Sequence, residues 1–150
     1  MSKDNRLRTL QILHIALVGG LLLFAGFAYY LNSGPGLDAD YALQGGPMKW
    51  FVPLGMAFLL GLAFLINRRR LASAPAGGSV ELRWNHYRTT CLIRWAMVEG
   101  AVFLSLVFYL LDEEWSYLLY GLAGLAILGL WRPEAGELER HYRLRPADLD

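Results

Sequence analysis

The chain of 150 residues has one cysteine and three histidines, so it can form no intrachain disulfide and offers no histidine-rich metal set. Charge is scarce too. Only 18% of residues are Asp, Glu, Lys or Arg, and they are almost absent from residues 9–31, 50–66, 91–111 and 115–131, which hold two charges between them, Arg94 and Glu99. This segregation excludes a soluble globular domain, a disordered chain and a free nucleic-acid binder, because uncharged runs of about 17–25 residues are what a hydrocarbon slab demands of a helix. The runs contain no Ser/His or paired-Asp arrangement, so the chain is read as non-enzymatic and no cofactor is expected. What is present is apolar: hydrophobic residues make up 55% of the chain and the mean hydropathy is +0.32. The predicted fold class is all-α, a single polytopic transmembrane domain with four spans over those runs, a loop at 67–90 and a tail at 132–150.

The basic residues set the predicted orientation. Lys3, Arg6 and Arg8 precede the first span; Arg68, Arg69, Arg70, Arg83 and Arg88 lie between the second and third; Arg132, Arg140, Arg143 and Arg145 follow the fourth. Only Lys49 lies on the opposite side, together with the acidic turn Asp112, Glu113 and Glu114. The positive-inside rule then makes both termini and the central loop cytoplasmic, as in a multi-pass protein of a bacterial inner membrane. Cys91, at the cytoplasmic end of span three, lies on the reducing side. The three basic residues, the apolar run and the small-x-small step at Gly26–Ala28 also fit a cleavable signal peptide. A retained helix is preferred, since residues 15–31 exceed the usual h-region of about 7–15 residues and end in the interfacial pair Tyr29 and Tyr30.

An internal repeat runs through the sequence. Shifting it by 80 residues aligns residues 5–31 with 85–111 and matches eight positions, among them Asn5/Asn85, Arg8/Arg88, Gly20/Gly100 and Tyr29/Tyr109. A shift of 63 aligns Gly61-Leu62-Ala63 with Gly124-Leu125-Ala126 and Arg69 with Arg132. Two parallel helical-hairpin repeats, related by an axis along the membrane normal, are expected. Residues 32–49 read as an irregular outer loop and 72–79 as a flexible linker. Trp84 and Tyr87, three apart, suggest a short interfacial helix before span three. Asp112 is expected to cap span four, with Trp115 and Trp131 anchoring its two ends. Glycines in every span and the Ala96-x-x-x-Gly100 pair point to close helix packing. In the tail, Glu137/Arg140 and Glu139/Arg143 have the spacing of a short amphipathic surface helix.

Glu99 is the residue this composition does not explain. If the inner edge of the core lies near Thr90, nine residues at about 1.5 Å each put Glu99 ~13 Å inside, close to the midplane of a core about 30 Å thick. Insertion of an acidic residue there costs about 2.5–3.5 kcal/mol, so the carboxyl is expected to face the bundle, find a partner or take up a proton. Arg94 lies about 140° around the helix from it, and snorkelling to the cytoplasmic edge is open to it. His14, which occupies the corresponding place in the first repeat, and Ser105 are further candidate partners, with Asn67 and Tyr109 as neutral donors. No metal set forms, because His14, His86 and His141 are widely separated.

Residues 96–107, Ala-Met-Val-Glu-Gly-Ala-Val-Phe-Leu-Ser-Leu-Val, resemble the ion-carrying helix of rotary ATP synthase ring subunits. There a mid-membrane Glu is followed by small residues, an aromatic and a Leu-Val pair. One acidic copy at Glu99 and a lost copy at Gly19 are similar to the doubled ring subunits of vacuolar-type ATPases. The chain departs from both in placing Glu99 on the first helix of its hairpin, in lacking a repeated Gly-x-Gly seam and in turning its hairpins outward. As a whole it resembles small four-helix inner-membrane proteins of bacteria, a resemblance that implies no activity. The expectation is an integral membrane protein, a homo-oligomer or a subunit of a larger complex, whose Glu99 binds or relays a proton or cation. The alternative is a structural or assembly subunit in which Glu99 is a neutral, hydrogen-bonded packing residue. Lipid and other membrane subunits are the expected partners, and nucleic acid is not.

Overall fold

The computed structural model describes residues 5–33, 48–75, 77–145 and 148. Among them are five helices: α1 (Asn5–Ser33), α2 (Met48–Ala72), α3 (Val80–Asp112), α4 (Trp115–Leu130) and α5 (Ala135–Tyr142). The first three are long and apolar enough to cross a membrane. At 16 residues α4 is shorter, about 24 Å along its axis. The irregular outer loop expected at 32–49 falls mostly on residues 34–47, which lie outside the described residues; Asn32 and Ser33 belong to α1.

The axis of the fold is α3, and three sets of contacts fix the direction of its neighbours. On α1, His14 meets Trp95, Phe24 meets Phe103, and the Asn32 side chain donates to the Tyr109 carbonyl, so α1 runs parallel to α3. On α2, Phe51 packs on Phe108 and Gly55 faces Leu104, while Arg70 at the far end donates to Thr90, so α2 runs antiparallel. The Tyr117 carbonyl accepts from Ser105 at the start of α4, and the Trp131 carbonyl just beyond its end accepts from Trp95, so α4 is also antiparallel. α2 packs along α3 and barely touches α1, whereas α1 settles against α3 and α4. The first two helices are therefore not a self-packed hairpin like α3 and α4.

Packing follows the small residues only in part. A Cβ at Gly121 or Gly124 would come within 3 Å of Leu106 or Val102, and one at Gly55 would come equally close to Leu104, so these glycines seat the α3–α4 and α2–α3 contacts. The Ala96-x-x-x-Gly100 pair is different: both residues are exposed, and a Cβ at Gly100 would meet nothing. Bulky apolar residues such as Ile15, Leu23, Phe27, Leu54, Phe58 and Leu130 cover the outside of the helices, as a lipid-facing surface requires.

Three local expectations are corrected. The separate interfacial helix at 80–88 is the first part of α3, which is continuous from its N-cap Ser79, whose hydroxyl accepts from the Leu82 amide. Trp84 and Tyr87 are buried in protein contacts and do not sit as surface anchors. Asp112 does not cap α4 but is the last residue of α3: only Glu113 and Glu114 separate the helices, and the reversal is made by Glu113 in the left-handed conformation, φ 54°, its amide bonded to the Tyr109 carbonyl. The short amphipathic helix expected in the tail is α5, and it docks on the bundle: with the residue pair beyond it, it buries Leu138, Tyr142 and Leu144 completely.

Candidate functional site

Glu99 lies on the same i, i+4 row of α3 as Trp95 and Phe103, both of which touch α1 through rings. Its row therefore faces α1, and the residue is half-buried there. Among the described residues Glu99 has neither a hydrogen bond nor an ion pair. Each of its three candidate partners is engaged elsewhere. Ser105 donates to the Tyr117 carbonyl. His14, 4% exposed, bonds the Leu128 carbonyl through Nε2 at 2.9 Å, and since a carbonyl only accepts, Nε2 carries the proton. Arg94, 3% exposed, points away from Glu99, in keeping with the 140° between them on the helix.

The structure gives Arg94 a partner from the tail. Its Nη1 and Nη2 donate to Oε1 and Oε2 of Glu137 at 2.8 and 3.1 Å, a two-pronged pair, and Nη2 also donates to the Trp131 carbonyl at 3.2 Å. The same carbonyl accepts from Trp95 Nε1 at 2.9 Å, and the guanidinium lies 5.9 Å from the centre of the Trp131 ring. Arg94 therefore does not snorkel to water. It ties the end of α4 and the start of α5 to the middle of α3.

Further contacts continue this dock toward the N-terminus of α3. Arg83 donates to the carbonyls of Tyr142 and Arg143, and His86 Nδ1 bonds the Tyr142 hydroxyl at 3.0 Å. Burial pushes the Tyr142 phenol up, so it stays a neutral hydroxyl in this contact. Glu137 carries no sign of its role in the linear sequence beyond one general rule: a charge in an apolar run needs a counter-charge, and a short helix with Leu138 and Tyr142 on one face is a place to bring one from.

A cleft of ≈ 650 Å³ lies between α1 and the end of α4. Its apolar walls include Ile15, Val18, Leu22 and Gly129, and its polar end holds Gln11, Arg132 and Glu134. A smaller recess of ≈ 230 Å³ beside the Arg94–Glu137 pair is lined by Arg140 and His141 as well. Among the described residues no group of three His, Cys, Asp or Glu side chains is placed to hold a metal ion. No family model, curated protein or solved structure matches the chain.

Proposed function

We propose that the chain is a non-enzymatic, multi-pass inner-membrane protein of a bacterium, a homo-oligomer or a subunit of a larger complex, in which Glu99 is a protonatable site that binds or relays a proton or cation. Four crossings with cytoplasmic termini, in two units related by the sequence repeat of which only the second packs as a hairpin, belong to this reading. One observation carries it: the carboxyl of Glu99 stands half-buried in the apolar middle of α3 with no hydrogen bond or ion pair among the described residues, while Arg94, His14 and Ser105 are all engaged elsewhere. A packing residue of the alternative kind needs a hydrogen bond, and the described residues supply none. An acidic group kept unpaired at such depth is open to a proton, a cation or a donor from another subunit.

The test is modification of the purified protein by an apolar carbodiimide, which reacts with the protonated carboxyl from within the lipid phase. Intact mass should show one adduct, mapped to Glu99, that is absent from Glu99→Gln and suppressed when a bound cation occupies the site. Glu99→Gln should melt like the wild type. No adduct at Glu99, or a Gln variant that loses its fold as readily as Glu99→Ala, would overturn the proposal.

A further inference from the structure

We propose that the cleft between α1 and the end of α4 holds an acyl chain of a glycerophospholipid whose phosphoethanolamine headgroup rests on Arg132 and Glu134. The shape of the cleft argues for a chain. From Gln11 to Leu22 it follows α1 for eleven residues, about 16 Å, which matches the ~15 Å depth of one leaflet of the hydrocarbon core. Its volume, ≈ 650 Å³, falls among those of sites that enclose small amphiphilic molecules, about 300–1,000 Å³. Gly19 and Gly129 make the space, since a Cβ on either would meet no atom within 4 Å. Ile15 and Leu22 are exposed along the wall, so the cleft is open to the bilayer on its flank and a chain enters sideways.

The polar end argues for the headgroup. Arg132 and Glu134 make a single contact, Nε to Oε1 at 2.9 Å. Among the described residues that contact leaves both terminal amino groups of the guanidinium and one carboxylate oxygen without a partner, a cation and an anion side by side at the mouth. A phosphate opposite Arg132 and an ammonium opposite Glu134 complement this pair, whereas a headgroup with the phosphate alone leaves the carboxylate facing it. Gln11, held by its bond to the Pro133 carbonyl, adds an amide oxygen on the same side.

The inference rests on α1 and α4 lying in the bilayer and is independent of the reading of Glu99. The test reconstitutes the full chain into discs containing equal phosphatidylethanolamine and phosphatidylglycerol and weighs the lipid it retains in mild detergent by native mass spectrometry. The wild type should keep one lipid, with phosphatidylethanolamine enriched several-fold. Glu134→Gln should abolish that preference, Arg132→Gln should lower retention of both lipids, and Gly129→Leu should lose the lipid while melting normally, because its side chain enters open space. Equal retention by wild type and Gly129→Leu, or enrichment of phosphatidylglycerol in the wild type, overturns the proposal. Vesicle flotation separates the two levels: protein that floats with lipid yet retains none contradicts only the cleft, and protein that fails to float contradicts the membrane reading beneath it.

Discussion

Arg94 and Glu99 are five residues apart on one helix and meet opposite fates. The guanidinium is neutralised by Glu137 and bonded to the Trp131 carbonyl, while the carboxylate has no counterpart among the described residues. Breaking a buried pair strands the remaining charge, which costs about 3–5 kcal/mol, far more than the pair itself contributes relative to an apolar replacement. Glu137→Ala is therefore expected to lower unfolding stability in detergent by ~3 kcal/mol and to strip hydrogen-exchange protection from α5. Converting both residues to apolar ones, Arg94→Met with Glu137→Leu, should restore most of that loss. Unchanged α5 protection in Glu137→Ala would show that the pair does not hold the tail.

α1 to α4 were legible as elements because each carries a long run almost free of charge, and a helix satisfies its own backbone in an apolar phase. Their ends and partners were less so. Trp84 and Tyr87 have the composition of an interface belt, but both are buried, Tyr87 with its ring edge-on to Tyr142 of α5 and Trp84 beside Tyr87; only the tertiary packing distinguishes the two cases. Glu137 is 43 residues from Arg94, and no local pattern connects them. Glycine content signalled close packing without saying which glycines take part. Gly124→Ala would set a Cβ 2.7 Å from a methyl of Val102 and is expected to cost about 1–3 kcal/mol through displaced packing. Gly100→Ala meets open space and should be neutral or gain up to about 1 kcal/mol from helix propensity. Melting temperatures of the two variants should move in opposite directions or differ plainly in size; equal losses would contradict the assignment of the α3–α4 seam.

At the scale of the whole molecule, α1 to α4 meet level at one end of α3, while at the other end α4 stops opposite Trp95 and α5 continues along α3 beyond it. Tyr29 and Asn32 of α1, Phe51 of α2 and Trp115 of α4 gather around Phe108 and Tyr109, and toward the opposite end Arg70, Trp131 and α5 contact α3 between Arg83 and Trp95. For α4 this matters most, since 16 residues are few for the fourth crossing proposed, and α5 is bonded to α3 just beyond the point where α4 ends. Basic residues cluster at that same end, which the proposed topology, by the positive-inside rule, puts in the cytoplasm. The depth of Glu99 and the leaflet that fills the cleft both depend on it. Topology reporters fused after Ser33, Gly77, Glu113 and Arg145 in intact cells test it directly. The account predicts periplasmic readings at Ser33 and Glu113 and cytoplasmic readings at Gly77 and Arg145; a periplasmic reading at Arg145, or a cytoplasmic one at Glu113, would contradict it.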